Sequence, residues 1–206
     1  GSFWMMDRDD DGSYWTPDRL ELYQVDRATG ERSPSIVLDD HWERLTGVAL
    51  HDGRLWAHYD ANADGLVTSI DPATGVETPR YRVGYGFGPM AVHDGTLYLG
   101  QTDVSSVIEL RDLESGAITD HLWAEGFQAS LRGLAIVQPP GGAAPELWGS
   151  SQANNVLTIL VDRVPHAEAV LPGFGSNQVG GLMFAGQQLI VVVDGQLYFY
   201  DVVRPS

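Results

Sequence analysis

Five stretches of this chain follow one pattern. LYQVDRATG (22–30), VTSIDPATG (67–75), IELRDLESG (108–116), TILVDRVPH (158–166) and LYFYDVVRP (197–205) align on Asp26, Asp71, Asp112, Asp162 and Asp201, at spacings of 39 to 50 residues. A short apolar, β-branched or aromatic run that stops at Asp and, in three copies, reaches Gly four residues later reads as a strand entering a tight turn. Ahead of each lies a second short apolar run: FWMM (3–6), LWAHY (55–59), LYLG (97–100), LWGS (147–150) and LIVVV (189–193). Each pair makes a hairpin. Ahead of four of these hairpins stand GVALHDG (47–53), PMAVHDG (89–95), GLAIVQ (133–138) and GLMFAG (181–186), so a unit reads as four strands joined by turns, with no amphipathic helical stretch between them.

Four short strands recurring every 40 to 50 residues cannot bury both faces of one sheet alone, and the economical solution is radial stacking. The expected fold is therefore all-β: a β-propeller of five blades, mostly of four antiparallel strands, in one domain spanning residues 1–206. The chain opens at the second strand of a unit and stops after the third strand of the fifth. One inner and one outer strand are thus unaccounted for, and how the ring closes is left open.

The repeats resemble the broad superfamily of NHL, YVTN, lactonase-type and quinoprotein-type propellers, on the GVAL and GLAI strands, the LYxx strand and the IDPATG turn. The tryptophan of quinoprotein repeats is missing after Gly30 and Gly75. The resemblance implies architecture, and for the lactonase type it implies a metal held by acids and amides around a central channel. The loops before the inner strands would line that channel here, offering Asp39, Asp40, Glu43, Glu125, Gln128, Asn177 and Gln178.

Charge narrows the partners. All 12 basic residues are arginine, against 28 acids, for a formal net charge of −16. That field repels phosphate backbones and anionic lipid and favours cations, so neither nucleic acid nor a membrane is an expected partner. The absence of lysine removes Schiff-base chemistry, and the absence of cysteine removes thiol catalysis and thiolate metal sites.

DANADGLVTSID (60–71) carries two readings. Asp60, Asn62, Asp64 and Gly65 have the alternate-oxygen spacing of a calcium loop, with Asp71 twelfth; the same letters also describe a hairpin tip, a strand and a second turn. If 66–70 is a strand, Asp71 ends roughly 15 Å from the tip and is a turn residue. The first unit repeats the spacing at Asp7, Asp9, Asp11 and Gly12, with Asp18 twelfth and ahead of the strand 20–25, so there the chain bends back more readily onto an ion. The calcium candidates are thus Asp7, Asp9, Asp11 and Asp18, then Asp60, Asn62 and Asp64, with affinity on the order of 10⁻⁴ to 10⁻³ M, suited to millimolar Ca²⁺ in an extracellular or periplasmic setting. Ordinary acidic turns are the competing reading at both places.

Catalytic constellations are thin. His51 and His93 sit in the repeated HDG turn, and repetition in register indicates turn chemistry; the other histidines have no metal spacing. The channel-side loops do carry an aromatic in every complete unit: Trp42, Phe87, Phe127 and Phe174, with Arg44 and Arg132 nearby. These six residues form the candidate mouth for a protein, small-molecule or carbohydrate ligand, with burial between blades as the alternative for the rings. The expected function is a non-enzymatic binding module; the alternative is a metal-dependent hydrolase or lyase of the lactonase kind.

Overall fold

The computed structural model describes residues 2–9, 18–26, 28–41, 44–61, 64–84, 86–102, 107–123, 131–151, 156–161, 164–170, 179–193 and 196–202. Among them there is no helix, and hence none long and apolar enough to cross a membrane. Eighteen strands among the described residues form five antiparallel sheets, each a simple up-and-down meander. The chain divides into two compact units, Gly1–Tyr85 and Gly86–Ser206.

The first unit holds two sheets. One contains β1 (Ser2–Asp9), β2 (Asp18–Asp26) and β3 (Ile36–His41); the other contains β4 (Arg44–His51), β5 (Arg54–Ala61), β6 (Asp64–Ile70) and β7 (Glu77–Val83). They pack through Leu22 and Leu38 of the first against Leu45, Leu55, Ala57, Tyr59 and Ile70 of the second. The β5–β6 register, Leu55 opposite Ile70 and Tyr59 opposite Leu66, puts Leu55, Ala57, Tyr59, Leu66 and Ile70 on one face. The opposite face, with Trp56, His58, Val67 and Ser69, is buried as well, so these strands read as continuous runs instead of alternating ones.

Three sheets make the second unit. They are β8 (Phe87–His93), β9 (Thr96–Gln101), β10 (Val107–Asp112) and β11 (Ile118–Trp123); β12 (Leu131–Val137), β13 (Glu146–Ser151), β14 (Val156–Val161) and β15 (Val164–Val170); and β16 (Val179–Ala185), β17 (Gln188–Val193) and β18 (Gln196–Asp201). Inner strand β12 lies beside inner strands β8 and β16, so these sheets stack in chain order. Ile108, Leu110, Leu131, Leu134, Leu147 and Leu160 fill the first of the two layers between them. Trp148, Leu182, Leu189, Val191 and Val193 fill the second, with the Trp148 and Phe184 rings meeting edge to face at 5.4 Å between centroids.

The repeated Asp turn folds as its letters suggest. One carboxylate oxygen of Asp26 accepts from the N–H groups of Ala28 at 2.8 Å and Thr29 at 3.0 Å; that of Asp71 accepts from Ala73 at 2.8 Å and Thr74 at 3.3 Å; that of Asp112 accepts from the Ser115 N–H at 2.8 Å. Gly30, Gly75 and Gly116, with φ of 73°, 73° and 71°, then donate their N–H groups back to the same aspartates' carbonyls at 2.8 to 2.9 Å. The HDG turns are equally regular. Asp52-Gly53 and Asp94-Gly95 all have positive φ, the conformation whose twist suits a two-residue hairpin.

Candidate functional site

The acidic hairpin of the second sheet is the best-described candidate. Ala61 pairs with Asp64 and Asp60 with Gly65, so the ladder runs without a break as far as the described residues go. Because successive rungs face opposite sides of a sheet, Asp60 and Asp64 project from opposite faces and do not converge on one ion. Asp64 is exposed, with Arg82 4.0 Å away. Asp71 lies at the far end of β6 in its own turn, as the strand reading requires. Asn62 falls outside the described residues.

The face that carries Asp60 is built differently. One oxygen of its carboxylate, Oδ1, is buried without a hydrogen-bond partner. Two residues back on the same face, His58 is 1% exposed, and its Nδ1 lies 2.6 Å from the Thr46 hydroxyl. Gly65 has ordinary strand φ, unlike the turn glycine of a calcium loop; a Cβ there would collide with His58 Nε2 and meet Val83 Cγ2 at 2.7 Å. Its role is to make room for the imidazole. The ladder also sets Arg44, expected at the mouth, directly opposite Asp60, expected at a metal, so two separate candidate sites share one rung.

In the first sheet, strand β1 continues through Asp7 and Asp9 where the sequence suggested an earlier end, with Asp7 opposite Glu21 and Asp9 opposite Arg19. Asp18 opens β2 instead of preceding it. Asp11 lies outside the described residues, and no group of three metal-binding side chains occurs among the described ones.

Of the expected mouth residues, Phe87 is 3% exposed and belongs to the core, because it begins inner strand β8 instead of ending a loop. Arg132, second in β12, is exposed. Trp42, Phe127 and Phe174 lie outside the described residues, as do Glu43, Glu125, Gln128, Asn177 and Gln178; Asp39 and Asp40 lie in β3. The most exposed aromatic among the described residues is Trp123, 70% exposed at the end of β11. It stands immediately before the 124–130 connection, which Leu131 and Arg132 follow. Trp123 is one residue past Leu122, which fills the core, and only the strand that carries them both sets which of the two meets solvent.

Two further features escaped sequence reading. Glu109 and Arg111 form a buried ion pair on β10, and Arg111 Nη1 also donates to the Gly116 carbonyl at 2.8 Å, tying the strand to its own turn. Ser150, fully buried, has an unpartnered Oγ, and an added Cβ on Gly133 would sit 3.0 Å from that oxygen. The histidines of the HDG turns lie beside their own neighbours, His51 3.5 Å from Asp52 and His93 3.3 Å from Asp94.

No family model matches the chain, and a search of curated proteins gives no match. Among solved structures, glutaminyl cyclase from Myxococcus xanthus is similar with a TM-score of 0.61 and 10% identity over 91% of this chain and 88% of that one. A chain of a nidogen–laminin complex is similar with a TM-score of 0.62 and 11% identity over 98% of this chain and 89% of that one. Both are propeller-like, and together with the four-stranded meander sheets they show that this all-β chain has a β-propeller-like fold.

Proposed function

We propose that residues 1–206 form one β-propeller domain whose five sheets are its blades, and that it is a binding module for a protein or carbohydrate ligand outside the cytoplasm. The observation that carries this reading is Trp123. A tryptophan 70% exposed at the mouth-side end of an outer strand gives up hydrophobic stabilisation unless something covers it. Trp and Arg are also the side chains that anchor interfaces most often, and exposed Arg132 stands just across the 124–130 connection. Fold alone does not choose a role: by their names, one neighbour is a cyclase and the other was seen in a protein complex.

Titration calorimetry against a defined panel of oligosaccharides and arginine- or lysine-rich peptides tests the reading. A panel member that binds the wild type and loses tenfold or more in affinity with Trp123→Ala and with Arg132→Ala supports it. Binding indifferent to both substitutions, or none across the panel at millimolar concentration, removes it.

Calcium belongs to the same proposal. The β1–β2 hairpin is its favoured position, since Asp7 and Asp9 share one face there, next to the 10–17 connection that includes Asp11 and ends at Asp18, whereas in the other acidic hairpin each face offers a single carboxylate where Ca²⁺ wants six to eight oxygens. Millimolar Ca²⁺ should raise the melting temperature of the wild type and not that of Asp9→Ala; no shift in the wild type, or an equal one in the variant, sinks the calcium reading.

A further inference from the structure

β7, β11 and β15 are outermost in the three four-stranded sheets that the described residues form, and they do not guard that position equally. β7 contains Pro79, which offers no N–H to an incoming strand, together with Arg80 and Arg82; β15 contains Pro165. Prolines and basic side chains are usual means by which a sheet edge refuses further pairing. β11, ITDHLW, has neither. Its bulge, at Leu110/Arg111, lies near its start, and from Asp120 to Trp123 its rungs with β10 are regular.

The hydrogen bonds around β10 fix which backbone groups of β11 face outward. The Leu110 carbonyl accepts from the Thr119 hydroxyl at 3.2 Å, and the Asp112 N–H donates to the Ala117 carbonyl at 2.9 Å, so the even-numbered residues of β10 turn toward β11. Opposite residues alternate between bonded and non-bonded pairs. Asp120 and Leu122 therefore bond to β10, while His121 and Trp123 hold their N–H and C=O groups outward. The His121 N–H agrees, donating to the Asp120 carboxylate at 2.8 Å. On the side chains, Ile118, His121 and Trp123 share the face of Arg111, Glu109 and Val107, and Ile118 and Trp123 are 53% and 70% exposed. No other described strand carries two exposed large apolar side chains.

We propose that β11 is a docking edge for an extended, basic segment of another protein, which adds to this sheet as a fifth strand. The inference rests on the reading of Trp123 as a binding residue and gives its partner a chemistry. Backbone bonds to His121 and Trp123 supply the pairing, apolar side chains of the segment cover Ile118 and Trp123 on one face, and basic ones meet Asp120 on the other. Charge selects the partner. The chain carries a net −16, β11 has an acid and no arginine, and Asp112 and Glu114 stand in the turn that leads into it, so an acidic segment is repelled and a basic one drawn in. An arginine of the segment can also lie over the Trp123 ring.

Calorimetric titration with a peptide alternating Arg and Val tests the inference, against a Glu–Val peptide and a fully N-methylated Arg–Val peptide. The unmodified Arg–Val peptide alone should bind, and the amides of His121 and Trp123 should then gain protection from hydrogen exchange. His121→Pro removes an outward N–H and no bond of the ladder to β10, and should weaken binding about tenfold or more, whereas His121→Ala, which keeps that N–H, should change it by less than about threefold. Circular dichroism melts of both variants report whether the fold survives. No binding of the Arg–Val peptide, equal binding of its N-methylated form, or a folded His121→Pro variant that binds as the wild type does would each overturn the edge. The binding-module reading survives those results if another ligand of the panel binds through Trp123 and Arg132, and it falls separately if none does.

Discussion

The two ends of strand β6 look alike in sequence and are held by different physics. At one end, Asp71-Pro72-Ala73-Thr74-Gly75 is a closed local circuit: the carboxylate caps the N–H groups of Ala73 and Thr74, and Gly75 returns a bond to Asp71. At the other, Asp60 to Gly65 has the same acids and glycine, but the ladder separates Asp60 from Asp64, and Gly65 serves the His58 ring. Residue types that favour turns therefore say where the chain reverses, and say little about whether a given acid or glycine is there for the turn itself.

The largest expected effect is at the second end. Gly65→Ala forces a methyl group into His58 and Val83 within a packed sheet, and overpacking of this kind costs about 1 to 3 kcal/mol. Urea unfolding should show the loss. A loss no larger than that of an alanine in open space would mean that His58 moves aside freely. Gly75→Ala tests the turn end: φ of 73° strains any residue with a Cβ, and the methyl would also meet Ile36 Cγ2 at 2.8 Å. The expected cost is about 1 to 2 kcal/mol, read in the same denaturation. A Gly75→Asn variant should recover part of it, since Asn tolerates this region better.

Asp71→Ala removes two accepted hydrogen bonds from one turn and should cost about 1 kcal/mol. The sister turns add a pH signature. Hydrogen bonds from Thr29 and Ala28 hold the Asp26 carboxyl below its ordinary range, and those from Ser115 do the same for Asp112. A carboxyl lowered by folding stabilises the protein above its unfolded pKa, and that contribution is lost as pH falls through the ordinary carboxylate range to the lower folded value. The melting temperatures of wild type and an Asp26→Asn, Asp112→Asn variant should therefore differ at neutral pH and converge in acid. A constant gap would assign the effect to something other than ionisation. The smallest effect belongs to Asp64→Ala, where an exposed carboxylate 4.0 Å from an exposed Arg82 should change stability by less than about 0.5 kcal/mol.

The parts legible from sequence were those set by neighbours along the chain. The Asp turns and HDG hairpins need only contacts two to five residues apart, so their letters specify them and their recurrence reveals the repeat. The short runs of β6 and β10, rich in apolar and β-branched residues and ended by an Asp turn, likewise mark strands before any partner is known. The candidate mouth residues were less legible. Phe87 and Trp123 both border connections leading into an inner strand, and nothing local distinguishes the ring that joins the core from the ring that meets solvent.

The sequence by itself thus determined an all-β chain of repeated four-strand units and the chemistry of its turns, because strand period and short-range hydrogen bonding are local properties. Tertiary structure alone decided the rest. It assigned Asp60 and Asp64 to opposite faces, gave Gly65 to an imidazole and paired Glu109 with Arg111 in the interior. Each of these depends on which strand lies alongside and which sheet stacks above, and that is settled by burial of apolar surface over the whole fold, a quantity that no window of neighbouring residues contains.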